Sequence, residues 1–214
     1  MQFFTSDIHF CDDGNLVVDG RPFKNYKKFD KYVIKMWNKD AKKGDIIYVV
    51  GDFVDCNNQE NKTYLTCLNY IKKIKAQVVL IMGNNEERVV KFFFNNNFES
   101  FRKYCINLGF RDVYKTYTIQ INNISFHLVH KPKHYNPNML NLFGHVHRSG
   151  GLYRPFGINV GCDLNHFKLY SENDILRLLK LKHTYWDIDQ NLNLWPTECV
   201  KWKLPKVFID GKLL

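Results

Sequence analysis

The chain has 214 residues, of which 45% are hydrophobic and 15% aromatic. This composition excludes a disordered or fibrous protein and predicts one globular domain, 1–214, with a sizeable core. A net charge of +10 favours anionic ligands such as phosphate esters or nucleic acid. The lysines are spread out, however, and clusters such as Lys24, Lys27 and Lys28 are typical of solvated faces. Charge alone is therefore a weak guide to function.

The six cysteines form no CxxC pair and no zinc-ribbon spacing. A disulfide framework or structural zinc site is not expected, and we interpret Cys11, Cys56 and Cys162 as small packing residues in a reducing compartment. The N-terminus lacks the features of a signal peptide, and no apolar run is long enough to cross a membrane. These features predict a cytoplasmic protein, of its own cell or of a phage host.

Three apolar runs in the first half of the chain predict strands, at 2–5, 45–50 and 77–82. Each is followed at once by a polar cluster, Asp7 to His9, Gly51 to Asp55 and Gly83 to Glu86. Helices are predicted between the strands from the apolar face of Phe29, Tyr32, Val33, Met36 and Trp37 and from Leu65, Leu68 and Ile71. Alternating strands and helices indicate a parallel sheet, whose ligands collect beyond the carboxyl ends of the strands.

The second half is expected to contain more antiparallel strands. After a helical stretch near 86–106, the segments 113–121 and 124–130 around Asn122-Asn123 predict a hairpin. Short strands at 139–143 and 158–160 follow, and Ser171 to Asp174 is a capping box before a last helix. The aromatic segment 182–214 predicts terminal strands as an extension of the same domain, with Pro196 and Pro205 limiting their length.

The polar clusters at predicted strand ends contain mostly metal-ligand residue types. In chain order they are Asp7-Ile-His9, Gly51-Asp52-Phe-Val-Asp55, Gly83-Asn84-Asn85-Glu86, His130 and Gly144-His145-Val-His147. In an extended D-x-H or H-x-H segment the two side chains leave on the same side and can address one site. Carboxylate, imidazole and amide ligands together favour manganese, iron, zinc or nickel over calcium or magnesium.

The ordered set DxH, GDxxD, GN-x-E, H and GHxH resembles the signature of calcineurin-like metallophosphoesterases. The segments Arg21-Pro22-Phe23, Trp37-Asn38, Gly44-Asp45 and Asn159 to Asp163 are similar to small bacterial and phage members of that superfamily, and the resemblance covers roughly 1–180. It implies an α/β fold, a four-layer α-β-β-α sandwich of two mixed β-sheets flanked by helices.

The resemblance also implies a ligand set for two divalent metal ions, with manganese expected first. One ion would be held by Asp7, His9, Asp52 and His147, and the other by Asp52, Asn84, His130 and His145. Asp52 would bridge the two ions, and the nucleophile would be a metal-bridged hydroxide rather than a side chain.

Position 85 departs from the family pattern, which has a histidine in the catalytic loop where this chain has Asn85. Asn cannot transfer a proton near neutral pH, so turnover of substrates with poor leaving groups should suffer while metal binding survives. Three explanations stay open: a specialisation in which His134 or another group substitutes, a binding protein that has lost catalysis, or a substitution introduced to trap substrate.

Several residues near the motifs have weaker assignments. Arg21, His134 and Arg148 are candidates for binding phosphate oxygens, although structural roles are equally compatible with the sequence. Asp55 is expected either to orient a metal ligand or to cap the next segment, and His127 is interpreted as structural.

The function predicted from these features is metal-dependent hydrolysis of a phosphate ester. A phosphodiester, in a nucleotide or a nucleic-acid end, is favoured over a phosphomonoester. A protein phosphatase is less expected because the segment GDFVDC lacks the Arg-Gly of that branch, and a repair nuclease because the chain is short. The alternatives are a non-catalytic binder of phosphate-containing ligands and a nucleic-acid-binding module with vestigial metal motifs. No membrane association and no obligate protein partner are expected.

Overall fold

A computed structural model describes residues 1–55, 61–148, 151–154, 156–191, 208–209 and 212–213. Two five-stranded sheets form its framework. The first sheet has the strand order β10-β1-β2-β3-β4, with bounds β1 Gln2–Thr5, β2 Ile46–Val50, β3 Gln77–Ile81, β4 Asp112–Tyr114 and β10 Tyr170–Ser171. Strands β1 to β4 are parallel and β10 is antiparallel to β1. The three predicted strand-and-loop units of the first half are therefore confirmed as neighbouring parallel strands.

The second sheet has the order β5-β6-β7-β9-β8, with bounds β5 Tyr117–Ile121, β6 Ile124–Val129, β7 Leu140–Phe143, β8 Tyr153–Arg154 and β9 Gly157–Asn159. The predicted hairpin is confirmed for β5 and β6, whose turn residues Asn122 and Asn123 have φ of 48° and 64°. The expectation that the second half contains more antiparallel strands is confirmed by the pairs β5–β6 and β8–β9, although β6, β7 and β9 run parallel. The predicted strand 113–121 is two strands, and the chain crosses between the sheets at Lys115-Thr116.

Six α-helices occur in the described residues, with bounds α1 Gly14–Val18, α2 Tyr26–Asp40, α3 Asn61–Cys67, α4 Asn84–Phe93, α5 Phe98–Leu108 and α6 Glu172–Asn191. Three 3₁₀ helices lie at Leu68–Lys73, Pro132–His134 and Cys162–Asn165. The single helical stretch predicted near 86–106 is two helices. Asn95 and Asn96 adopt positive φ, and the Asn97 side chain accepts a hydrogen bond from the Ser100 amide as the N-cap of α5.

Two apolar clusters place the sheets between helices and against each other. The first packs one face of the first sheet, including Val49 and Leu80, against Trp37 of α2 and Phe101 of α5. The second lies between the two sheets, where Val50 and Ile81 meet side chains such as Phe126 and Leu142, and it extends to Ile175 and Leu179 of α6. The predicted sandwich of two mixed sheets flanked by helices is confirmed.

The C-terminal region matches the prediction of terminal strands only in part, because 182–191 are helical, and 192–207, with Pro196 and Pro205, lie outside the described residues. The predicted capping box is present, since the Asp174 amide donates to Ser171 Oγ and the Ser171 amide donates to Asp174 Oδ2. Helix α6 then continues to Asn191, because no proline or glycine interrupts the chain between Ser171 and Asn191. Short strands β11 Phe208–Ile209 and β12 Lys212–Leu213 pair further on. No described helix is long and apolar enough to span a membrane.

Candidate metal centre

The polar motifs converge at one rim of the sandwich. Asp7 and His9 follow β1, Asp52 follows β2, Asn84 follows β3, His130 follows β6, and His145 and His147 follow β7. Within each sheet these strands are parallel, so their carboxyl ends lie at a common edge. The structure brings all seven residues of the predicted ligand set together.

The backbone of these loops is not extended. The prediction that the two side chains of the D-x-H and H-x-H segments point to one site because the segments are extended is therefore wrong. Five of the residues have left-handed φ, namely Asp7 at 58°, His9 at 53°, Asp52 at 53°, His145 at 73° and His147 at 45°. Such a conformation is uncommon for residues other than glycine and costs about 1–3 kcal/mol each. Strained backbone of this kind concentrates at functional sites, where the surrounding structure holds it in place.

Asp7, His9, Asp52 and His147 form what we call the first cluster. The Nε2 atom of His9 lies 3.7 Å from Asp52 Oδ2, and the Nε2 atom of His147 lies 3.6 Å from Asp7 Oδ1. Ligand atoms of Asp7, His9 and His147 all lie within 4.8 Å of one another. His9 Nε2 is buried and has no hydrogen-bond partner among the described residues. A buried imidazole nitrogen facing carboxylates in this way fits a divalent cation.

Asn84, His130 and His145, again with Asp52, form the second cluster. Asn84 Oδ1 lies 3.0 Å from His130 Nε2 and 2.9 Å from His145 Nδ1. His130 Nδ1 donates to the carbonyl of Val50 at 2.8 Å, so a neutral ring presents a lone pair at Nε2. Two acceptors then face each other across 3.0 Å, and either a proton or a cation must lie between them. This arrangement also fits a metal ion.

Asp52 lies between the clusters and sets their electrostatics. Its Oδ2 atom is 3.7 Å from His9 Nε2 and 3.5 Å from His130 Nε2. Burial opposes a charge on His130, but its hydrogen bond with Asp52 and the negative charges of Asp7 and Asp52 raise its pKa to about 9. Burial also opposes the charge on Asp52, yet His130 and His9 lower the pKa of that carboxyl. The rim therefore attracts positive charge, and a metal ion would displace the proton.

Each imidazole of the first cluster has a carboxylate behind it. His147 Nδ1 lies 2.8 Å from Asp19 Oδ2, and His9 Nδ1 lies 3.2 Å from Asp55 Oδ2. Burial raises the pKa of Asp19, but its hydrogen bond with His147 and the nearby charges of His147, Arg21 and His9 together lower it overall. These contacts fix the ring orientation and leave Nε2 facing the site. Asp55 thus lies where it can orient a ligand, as one of the two alternatives for it predicted. Asp19 was not identified from the sequence, because it belongs to no motif.

Glu86 links the second and third motif loops. Its buried carboxylate accepts hydrogen bonds from the amides of Asp52, Phe53 and Gly83 and from the Tyr64 hydroxyl, at 2.7–3.0 Å. Burial and the nearby charge of Asp52 raise the pKa of Glu86 to about 7. A Cβ on Gly83 would clash with the Asp52 carboxylate, so the close approach of the two loops requires glycine there. The sequence pattern placed Glu86 in the motif without indicating this role.

Asn85 is held inside the wall of the site. Its side chain is 2% exposed, and its Nδ2 atom lies 3.2 Å from both His9 Nδ1 and the carbonyl oxygen of Val54. The backbone amide of Asn85 donates to Asp52 Oδ1 at 3.0 Å. The side chain therefore supports His9 and the Asp52 loop.

The structure corrects the suggestion that Arg21 binds phosphate. Its side chain is buried and donates to both carboxylate oxygens of Asp163 at 2.9 Å and to the carbonyl oxygens of Asp7 and Ile8. It also lies 3.5 Å from Asp19. Arg21 therefore holds the backbone of the first motif from behind, and its guanidinium is already occupied.

The other suggested substrate-binding residues are exposed. Arg148 lies beside His147 and donates to the carbonyl oxygen of Asp19 at 3.3 Å. His134 lies in the 3₁₀ helix that follows β6, at the edge of a cavity next to His130. His127 lies within β6, away from the motif loops. Roles for Arg148 and His134 stay predictions.

The interpretation of Cys11 as a buried packing residue is wrong. Cys11 is only partly buried and forms a disulfide with Cys67, joining the first motif loop to α3. The pairing depends on a contact 56 residues apart, which the spacing of the cysteines does not reveal. Cys162 is buried, as predicted, and Cys56 lies outside the described residues. The disulfide does not fit the expected reducing compartment, since such bonds are rare in cytosolic proteins outside hyperthermophiles.

A two-sheet α/β sandwich with carboxylate, imidazole and amide ligands at its rim defines the class of metal-dependent phosphoesterases. The chain belongs to the calcineurin-like phosphoesterase family, whose model matches residues 3–207. The family indicates metal-dependent hydrolysis of phosphate esters, and the ligand clusters agree with it.

Similar proteins have been found in both prokaryotic domains. The chain is 26% identical over 187 residues to the uncharacterized protein MJ1445 of Methanocaldococcus jannaschii, covering 83% of this chain and 90% of that protein. The crystal structure of AQ665 from Aquifex aeolicus, a protein of unknown function, matches with a TM-score of 0.60 at 24% identity, covering 83% of this chain and 98% of AQ665. A weaker match, with a TM-score of 0.42 and 18% identity, is to the nuclease MPE of Pseudomonas putida, covering 68% and 61% of the two chains. Origin in a bacterium or phage stays a prediction.

Proposed function

We propose that the protein hydrolyses phosphodiesters with two divalent cations, manganese being the favoured metal. The observation that carries the proposal is the position of Asp52, whose carboxylate faces His9 Nε2 on one side and His130 Nε2 on the other. Such a carboxylate fits a ligand shared by two ions. The first ion would be held by Asp7, His9, Asp52 and His147, and the second by Asp52, Asn84, His130 and His145.

When bound, two such cations lower the pKa of coordinated water and neutralise charge on the phosphate oxygens. The protein groups hold this arrangement in place. Asp19 and Asp55 orient His147 and His9, and Glu86 fixes the loop that carries Asp52. The residues described around the rim would therefore bind the cations and hold the ligand side chains in position.

Protonation of the leaving group is the step that this chain supports least. Asn85 has no titratable proton, and its side-chain amide already donates to the carbonyl oxygen of Val54. Loss of a general acid typically costs about 10²–10⁴-fold, and the cost falls as the leaving group becomes more acidic. We therefore expect slow turnover of alkyl esters and measurable turnover of nitrophenyl esters.

A diester, in a nucleotide or a nucleic-acid end, is proposed over a monoester, and the net charge of +10 supports this preference only modestly. A cytoplasmic location is part of the same proposal, and there we expect Cys11 and Cys67 to be thiols rather than the disulfide of the structure. The second candidate function is a metal-dependent binder of phosphate-containing ligands. It is favoured by one observation, the burial of the Asn85 side chain and its hydrogen bond to the Val54 carbonyl, which suit a position adapted to structure rather than to proton transfer.

The test is Mn²⁺-dependent hydrolysis of bis-p-nitrophenyl phosphate and p-nitrophenyl phosphate. The native chain is compared with Asn85→His, Asp52→Asn and the control Asp45→Asn, which lies just before the other end of β2. Histidine can place its Nδ1 near the position of the Asn85 Nδ2 atom and direct Nε2 outward. We expect Asn85→His to be about 10²-fold faster or more on the diester, Asp52→Asn to be inactive, and Asp45→Asn to match the native chain.

The outcomes separate the two candidate functions. If neither the native chain nor Asn85→His hydrolyses any ester although Mn²⁺ binds, the protein is a binder. If Asp52→Asn keeps full activity, the two-metal proposal is wrong.

A further inference from the structure

A cavity of about 440 Å³ opens beside the second cluster. It lies where the chain crosses from the first sheet to the second at Lys115-Thr116, and helix α4 and the end of β6 form its sides. His130 belongs to its wall and also to the second cluster, through the 3.0 Å contact with Asn84. The cavity therefore shares one wall residue, His130, with the site at which phosphate would be cleaved.

The lining of the cavity suits an aromatic group that carries negative charge. Its apolar part is formed by Met82, Val90, Phe98 and Val129. Asn96 and Thr116 add groups that can donate and accept hydrogen bonds, as the edge of a nucleobase requires. The volume falls within the range of about 300–1,000 Å³ that is typical of small-molecule sites.

The charge of the cavity is positive. Lys131 pairs with Glu87 across it, while Lys115 forms no ion pair within the described part of the chain. Lys115 Nζ instead lies 5.4 Å from the centre of the Phe98 ring. An aromatic ring with an adjoining unpaired cation is the combination that single nucleotides and nucleic-acid strands use for stacking and phosphate contact.

We propose that this cavity binds the nucleoside attached to the scissile phosphate, with the base stacked on Phe98 and Lys115 contacting phosphate. This rests on the proposed function, because it assigns the substrate class of the same metal site. The cavity then makes the protein selective for nucleoside phosphodiesters over small alkyl diesters.

The experiment compares kcat/KM for three diesters with the same leaving group in the presence of Mn²⁺. They are the thymidine 5′- and 3′-p-nitrophenyl phosphates and methyl p-nitrophenyl phosphate. We expect at least one thymidine ester to be favoured about tenfold or more over the methyl ester. Phe98→Ala should remove about tenfold of that preference, whereas Lys115→Ala, which loses the phosphate contact, should slow all three esters.

The chain offers a matched control pair. Phe92 on α4 is 66% exposed, and Lys91 Nζ lies 5.7 Å from the centre of its ring, but neither residue lines the cavity. Phe92→Ala and Lys91→Ala should leave the thymidine preference intact. Because Phe98 also packs against the core, the methyl ester reports whether Phe98→Ala still folds, and the exposed Lys115→Ala tests the same proposal without that risk.

Hydrolysis of all three esters at similar rates overturns the cavity proposal and leaves the phosphoesterase function standing. If no ester is hydrolysed, binding of thymidine 5′-monophosphate with Mn²⁺ is measured by equilibrium dialysis. Binding weakened about tenfold by Phe98→Ala and unchanged by Phe92→Ala supports the cavity while rejecting hydrolysis. Absence of binding, or equal effects of the two variants, overturns the cavity proposal.

Discussion

The two ligand clusters of the rim are built differently, although they share Asp52. In the first cluster Asp7 is fully buried and His9 is 5% exposed, and carboxylates orient both imidazoles from behind. In the second cluster His145 is exposed; its ring contacts Asn84, and its backbone amide donates to the Asp7 carboxylate. The first cluster is therefore closed at Asp7 and His9, while the second opens toward solvent at His145 and toward the cavity at His130.

The difference follows from the cost of burying polar groups. A buried carboxylate or imidazole needs hydrogen-bond partners, so the closed cluster requires Asp19, Asp55 and Arg21 around it. An exposed ligand can be solvated by water and needs fewer protein partners. Geometry is thus fixed on one side of Asp52, while access for a substrate is kept on the other side.

The largest effect is expected from removing Arg21, which supports the first cluster. Arg21→Met keeps much of the volume but leaves Asp163 as a buried charge without its partner. Loss of one member of a buried pair costs about 3–5 kcal/mol. We expect the free energy of unfolding in urea to fall by that amount and Mn²⁺ affinity to drop at the first cluster.

The matched control is Arg102→Met. Arg102 makes the same two-point contact with Asp112, through Nε and Nη2 at 2.6 and 2.9 Å, but its side chain is 34% exposed. Its loss should have a clearly smaller effect because solvent screens the pair. Equal losses in the two variants would show that burial of the Arg21 pair does not support the first cluster.

The next effect concerns the carboxylate behind His147. Asp19→Asn can still accept a hydrogen bond from Nδ1 but removes the negative charge. Loss of such a partner typically weakens metal affinity about 10–100-fold. We expect this loss for one of the two Mn²⁺ ions, measured by titration with detection of free Mn²⁺ by electron paramagnetic resonance.

Asp13→Asn is the control for this change. Asp13 lies in the same region, and its carboxylate accepts from the Tyr26 amide without contacting a ligand. The Mn²⁺ affinity of Asp13→Asn should equal that of the native chain. If Asp19→Asn weakens the affinity for both Mn²⁺ ions equally, the proposal that Asp19 supports only the first cluster is wrong.

The contrast between the clusters also marks the limit of sequence-based prediction here. The strands that end at Thr5, Val50 and Ile81, and the ligand types that follow them, were predicted because apolar runs and polar clusters are local features. Parallel pairing then required the loops to meet. The ordered motifs likewise indicate the family from the sequence alone.

The supporting residues could not be predicted in the same way. Asp19 and Asp163 act through contacts with His147 and Arg21 that only the folded chain creates, since 128 and 142 residues separate the partners. The left-handed backbone of Asp7 and His9 is imposed by the surrounding structure and has no local sequence signal. The prediction of a single helix near 86–106 overlooked a signal in the sequence. Three consecutive asparagines at 95–97 favour a turn, and they separate the two helices.

The smallest predicted effect concerns Asp30, a buried carboxyl near the first cluster whose two oxygens are not both hydrogen-bonded among the described residues. Asp30 on α2 is buried and accepts from the amide of Cys11, two residues after His9, but its Oδ1 atom has no partner among the described residues. Burial raises its pKa from 3.8 to about 7, and hydrogen bonds from Cys11 and Tyr70 only partly oppose this rise. The fold therefore favours the neutral carboxyl.

The sign of the pH effect follows from this shift. Because the pKa is raised in the folded state, the stabilising contribution of neutral Asp30 is fully present below about pH 4 and is lost as the pH rises to about 7. Asp30→Asn stays neutral throughout. We expect its free energy of unfolding, relative to the native chain, to increase by at least about 1 kcal/mol between pH 4.5 and pH 8, measured in urea with chelator present. Asp40→Asn, at the end of the same helix, should show no such trend. If the difference in free energy of unfolding between Asp30→Asn and the native chain is constant over this pH range, Asp30 is charged in the folded protein and the proposed neutral carboxyl is wrong.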